Sequence, residues 1–124
     1  MHFTQREQAA LRDAGLNQET IEAASDAVVE ATEQAAADLE AFFAGQETVY
    51  SDMEIAHSSS AIQQHTLDYV DLYTHADDIR GYVRFDSWWV PVEGGRVLTE
   101  ETVELTLGPT VNGRVRFAGD EDAL

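Results

Sequence analysis

The stretch DLYTHADDIRGYVRFDSWW, Asp71 to Trp89, decides how the second half of this chain is read. It holds both tryptophans and two of the four tyrosines, in a chain otherwise rich in Ala, Glu and Thr. Successive side chains on a strand point to opposite faces. Read as one strand from Arg80 to Val92, the segment sends Val83, Phe85 and Trp89 to one side and Arg80, Tyr82, Arg84, Asp86 and Trp88 to the other. The first set has the character of a core. The second mixes aromatic rings with Arg and Asp, an unusual covering for a surface that needs only to be wet, so Trp88 is expected in solvent and Trp89 in the interior.

The residues before it extend the same face. With Val70 and Leu72 inward, Tyr69, Asp71, Tyr73 and His75 point outward, although a slip of one residue would reverse all of them. The β-branched and aromatic content of Thr66 to Thr74 favours a strand from about Leu67. Ser60 and Gln63, however, have the spacing of a helix capping box, so a third helix over residues 61 to 75 is the alternative. That helix would move the fold toward the cone shape of NTF2-like or cystatin-like domains, an analogy of fold alone.

Downstream, Glu93-Gly94-Gly95-Arg96 reads as a hairpin turn, followed by a strand in which Val103, Leu105 and Leu107 alternate with Thr102, Glu104 and Thr106. Gly108-Pro109 ends that strand. Asn112-Gly113 is a two-residue hairpin signal, leading to a last strand with Val115 and Phe117 inward and Arg114 and Arg116 outward. Residues 119 to 124 form a short acidic tail, expected to fray. Upstream, Thr4 and Glu7 have capping-box spacing for a helix over residues 3 to 14, with Gly15 as its stop. Asn17 caps a second helix running to Ala44, its seam being Ile21, Ala24, Val28, Ala31, Ala35, Leu39 and Phe42. That seam serves either the protein's own sheet or a helix of a second copy. Thr48 to Ala56 alternates as a first strand, with Val49, Met53 and Ile55 on one side.

The expected fold is therefore α+β: two N-terminal helices packed on an antiparallel meander of four to five strands. One domain spans residues 1–124, divided into a helical hairpin (1–45), a sheet (46–118) and the tail.

The chain carries 24 acidic residues against 7 basic ones, a formal charge of -17, and every basic residue is Arg. In dilute buffer such a charge opposes compaction. At molar salt the Debye length falls to about 3 Å and most of the repulsion is screened. The segment DYVDLYTHADDIRGYVRFDSWWVPVEGGRVL, Asp68 to Leu98, on this lysine-free acidic background, resembles a small uncharacterised family of halophilic archaea. The resemblance implies a high-salt cytoplasm and no particular activity.

Cysteine is absent, which excludes disulfides and thiolate chemistry. The amino terminus, MHFTQREQ, lacks a signal pattern, and no run approaches the roughly eighteen apolar residues of a membrane span. A cytoplasmic protein without membrane or DNA partners is expected, and no cofactor motif is present. His57, His65 and His75 lie among aspartates, so a metal site of His57, Asp71 and His75, or with His65, is the alternative functional reading. Distance argues against His65 with His75: ten residues on one strand separate them by roughly 33 Å, and on one helix by roughly 15 Å. No H-E-x-x-H, calcium loop, nucleophile elbow or phosphate-binding loop occurs.

The expected function is a non-catalytic module recognising a protein or its own second copy through Tyr69, Tyr73, His75, Arg80, Tyr82, Arg84, Asp86 and Trp88. Rigid aromatics and arginines dominate interface energetics. Five of the seven arginines, 80, 84, 96, 114 and 116, belong to the sheet half, so RNA held by stacking and phosphate contacts is a third reading.

Overall fold

The computed structural model describes residues 1–55, 59–109 and 113–124. Two helices, α1 (Gln5–Asp13) and α2 (Gln18–Phe43), precede six antiparallel strands: β1 (Thr48–Ser51), β2 (Gln63–His75), β3 (Asp78–Phe85), β4 (Trp89–Val97), β5 (Thr102–Leu107) and β6 (Gly113–Ala118). Each strand pairs with the next, and β1 pairs with β6 to close a barrel.

The helices begin as their sequence dictates. Thr4 Oγ1 accepts from the Glu7 N–H, and the Glu7 carboxylate accepts from the Thr4 N–H, a complete capping box. Asn17 Oδ1 accepts from the Thr20 N–H at the start of α2. The carboxyl-terminal part of α2 then lays Ala36, Leu39 and Phe43 into the core, where the Phe43 and Phe117 rings meet edge-on at 5.7 Å. Leu39 and Ile21 of the expected seam are fully buried; Ala36 and Phe43 take the central places, with Ala35 and Phe42 at the flank. The carboxyl-terminal part of the seam thus serves the protein's own sheet, whereas Ala24 and Val28 are half-buried and Ala31 is exposed.

Two glycines make room for this packing. Gly95, on β4, passes under the helix: a Cβ there would lie 2.9 Å from Leu39 Cδ1 and 2.8 Å from Leu105 Cδ2. Gly81, on β3, has φ +144° and lies so close to β2 that a Cβ would sit 2.0 Å from the Asp71 carbonyl oxygen. Only glycine fits both the conformation and the space.

The sheet departs from expectation in four places. It has six strands because Arg80 to Val92 is two strands, not one. Asp86 and Ser87 form a two-residue hairpin loop between them, with the Phe85 N–H donating to the Trp88 carbonyl at 2.7 Å. Glu93 to Arg96 is not a turn: these residues continue β4, with a bulge between Val92 and Gly94, and the chain turns instead at residues 98–101. There Thr99 and Thr102 bridge hydroxyl to hydroxyl at 2.8 Å, and Thr99 Oγ1 accepts from the Glu101 and Thr102 N–H groups. Residues 61–75 contain no helix; β2 begins at Gln63, four residues earlier than expected. β1 is shorter than the alternation suggested, and Ile55 is exposed. The acidic tail closes in a single 3-10 turn, Glu121–Ala123, capped by Asp120. Asn112 of the last expected hairpin lies outside the described residues.

Candidate functional site

The outer surface of β2, β3 and β4 gathers the residues that sequence alternation singled out. β3 lies in the middle. Tyr69, Arg84 and Trp89 form one cross-strand row, Asp71, Tyr82 and Pro91 the next, and Tyr73 pairs with Arg80 in a third. The aromatic members are open to solvent: Tyr69 51%, Tyr73 57%, Tyr82 43% and Trp89 51%. The Tyr82 and Trp89 rings meet edge to face at 5.1 Å, which holds both upright on the sheet. His75 lies exposed at the end of β2, opposite Asp78.

The two guanidiniums on this face are only loosely held. Arg84 Nε is 3.6 Å from Asp68 Oδ2, and Arg80 is 3.8 Å from Asp78. Neither side chain donates a hydrogen bond to a described residue, so their donor positions stay available. Arg96 and Arg116 differ: each donates to a carboxylate at hydrogen-bond distance, Arg96 to Glu104 at 3.1 Å and Arg116 to Asp52 at 2.9 Å.

Trp88 corrects the expected face. In a two-residue hairpin, Phe85 faces Trp88 and Arg84 faces Trp89, so Trp88 follows Phe85 inward and Trp89 follows Arg84 outward. The Trp88 ring packs against the core, 4.8 Å from Phe85 and 6.3 Å from His65. Trp89, placed inside by the sequence reading, is the exposed indole. Asp86 lies in the hairpin loop, outside the cross-strand rows, its N–H donating to the Thr66 carbonyl. Asp68 joins the face unexpectedly, because a register shift between Leu67 and Tyr69 turns it and Tyr69 both outward. No periodicity in the sequence marks that bulge.

The histidines do not converge on a metal site. His57 lies outside the described residues. Asp71 and His75 share a face of β2 but stand four residues apart, roughly 13 Å along a strand. Among the described residues no three His, Asp or Glu side chains gather as metal ligands. His65 points into the barrel, where its Nε2 lies 2.7 Å from Ser51 Oγ and its ring stacks on Phe85 at 4.6 Å. Burial holds its pKa below the ordinary histidine value. Ser51 is itself fully buried and accepts from the Met53 N–H at 3.2 Å. A serine with a histidine base at this distance has half the geometry of a nucleophilic dyad. Both side chains are buried, and the pair is a satisfied polar element of the core.

A family model for a family of unknown function, DUF7532, matches residues 1–122. The chain belongs to this family. No curated protein and no solved structure matches it. DUF7532 membership accounts for nearly the whole length, helices and barrel together, and assigns no chemistry. No helix among the described residues is long and apolar enough to cross a membrane.

Proposed function

We propose that this protein is a non-catalytic interaction module of a high-salt cytoplasm, docking a protein partner or a second copy through the outer face of β2, β3 and β4. The observation that carries this reading is the set of four exposed aromatic rings, Tyr69, Tyr73, Tyr82 and Trp89, on three adjacent strands around Arg80 and Arg84. Contiguous exposed apolar surface on a small domain marks an interaction site more often than scattered single residues do. Arg80 and Arg84 offset part of the charge of Asp68, Asp71 and Asp78 on this face, so another acidic protein meets less repulsion here than at an uncompensated acidic surface.

Replacing Tyr82 and Trp89 together with alanine tests it. The variant should keep the wild-type far-UV circular dichroism while losing either self-association in sedimentation experiments or a partner captured from the native cell. Identical sedimentation and identical capture by wild type and variant would remove the proposal. Nucleic acid that co-purifies with the wild type and is lost from the variant would assign the face to RNA instead.

A further inference from the structure

Among the described residues, the far part of β2 is an open strand edge of the barrel. β1 covers β2 from Gln63 to Thr66. Its last support is the Glu47 carbonyl, which accepts from the Leu67 N–H at 2.8 Å. From Asp68 to His75, β2 has β3 on one side and, among the described residues, no strand on the other. In an antiparallel ladder the N–H and C=O groups of alternate residues point to alternate sides. The Leu72 N–H donates away from β3, to Glu40 Oε1 of α2 at 2.8 Å. By that alternation the backbone groups of Val70, Leu72 and Thr74 face the open side. Glu40 therefore stands where the carbonyl of a neighbouring strand would stand.

A groove of about 710 Å³ lies at the start of this edge, between residues 67–70 of β2 and the last turns of α2. On the helix side Ala37, Ala41 and Ala44 keep it wide, and on the strand side Leu67 and Val70 give it an apolar floor. Its charged lining residues are Glu40, Glu47 and Asp68, with no cation among them. Open edges bind extended chains by main-chain pairing, with side-chain pockets supplying specificity.

We propose that this groove takes an extended basic segment of a partner protein, which adds to the open edge of β2 as a further strand. A carbonyl of the segment replaces Glu40 as acceptor of the Leu72 N–H, and Val70 supplies the next pair of main-chain bonds. The released Glu40 carboxylate, with Glu47, then pairs with Arg or Lys side chains that alternate toward the helix, while Asp68 stays with Arg84 on the outer face. Tyr69 lines both this groove and the outer aromatic face, whereas Tyr82 and Trp89 lie outside the groove and are not needed for this binding.

The test uses the full chain and a fluorescent peptide of about six residues alternating Arg and Val, the length of an ordinary strand. Fluorescence anisotropy reports binding and amide hydrogen exchange reports its place. The Val70 amide should exchange more slowly in the complex. The same peptide N-methylated on the residues that pair should bind about tenfold more weakly or worse, as expected for lost main-chain bonds. Ala41→Arg and Ala37→Arg, both at exposed helix positions, should abolish binding, whereas Tyr82→Ala/Trp89→Ala should leave it unchanged. That last arm separates this site from the proposed aromatic face. Absence of binding at millimolar peptide, an unprotected Val70 amide in the complex, equal binding of a Glu-for-Arg peptide, or wild-type binding by both Arg variants would each overturn the proposal.

Discussion

His65 Nε2 and Ser51 Oγ lie 2.7 Å apart inside the barrel, and both side chains are shut off from solvent. Ser51 Oγ also accepts from the Met53 N–H, and with one proton and two lone pairs it satisfies a neutral His65 ring in either tautomer. Burial lowers the His65 pKa in the folded chain, while the unfolded imidazole titrates near about 6.5. Below that value the unfolded state takes up a proton that the folded state refuses. The stability contributed by His65 is full above about pH 6.5 and is lost as the pH falls toward the folded-state value. In urea titrations, stability should therefore drop from pH 8 to pH 5 more steeply for the wild type than for His65→Gln. Parallel slopes for the two proteins would contradict a buried neutral His65.

The two neighbouring indoles should behave as opposites. Trp88→Ala removes a ring packed on Phe85 and His65 and should cost about 2 kcal/mol or more. Trp89→Ala exposes little that was not already wet, and its cost should stay below about 1 kcal/mol. Fluorescence gives an independent check. A Trp88→Phe variant, emitting only from Trp89, should be redder and more strongly quenched by acrylamide than the Trp89→Phe variant.

That reversal shows how much of the molecule was legible in its sequence. The capping residues Thr4 and Asn17, the extent of α2 and the inward set Val103, Leu105, Leu107, Val115 and Phe117 follow from local rules, and the structure bears each of them out. The outward residues Tyr69 to His75 of β2 were equally readable, because alternation holds from the bulge to the end of the strand. The Asp86–Ser87 loop was not, since neither residue is a strong hairpin former, and Glu93-Gly94-Gly95-Arg96 offered stronger turn chemistry a few residues later. Those glycines answer a tertiary demand, the passage of β4 beneath Leu39, that no local pattern expresses. One missed loop placed the wrong tryptophan on the candidate face while leaving Tyr82 and Arg84 correctly assigned. Barrel closure was equally hidden, because pairing of β1 with β6 joins residues far apart in sequence.

Gly81 and Gly95 should respond differently to an added methyl group. In Gly81→Ala the new Cβ meets the Asp71 backbone at 2.0 Å and the residue must hold φ +144°, so nothing cheap can give way. A loss of more than about 3 kcal/mol, or failure to fold, is expected. Gly95→Ala meets the tips of Leu39 and Leu105, which can shift, and the Glu104 carbonyl oxygen only at 3.3 Å, so about 1 to 2 kcal/mol is expected. Thermal unfolding of both variants checks the ranking; equal losses would refute it.

Asp52 and Arg116 make an unequal pair. Asp52 accepts from Arg116 Nε at 2.9 Å and from the Arg116 backbone N–H at 2.8 Å. Arg116→Ala keeps the backbone bond and removes only a partly exposed ion pair, a loss of about 0.5 kcal/mol. Asp52→Ala removes both and should cost about 1 to 2 kcal/mol. Chemical denaturation of the two single variants distinguishes them, and a larger loss in Arg116→Ala would contradict the geometry.

The same neighbourhood contains the shortest join in the barrel. β1 and β6 share the pairs Tyr50 with Ala118 and Ser51 with Phe117, reinforced by the Asp52 N–H on the Arg116 carbonyl. Mechanically the ring is a rolled ribbon fastened by a clasp. If it loosens short of complete unfolding, it unrolls from that fastening first, and water then enters beside Ser51 long before it reaches Val83 or Val90.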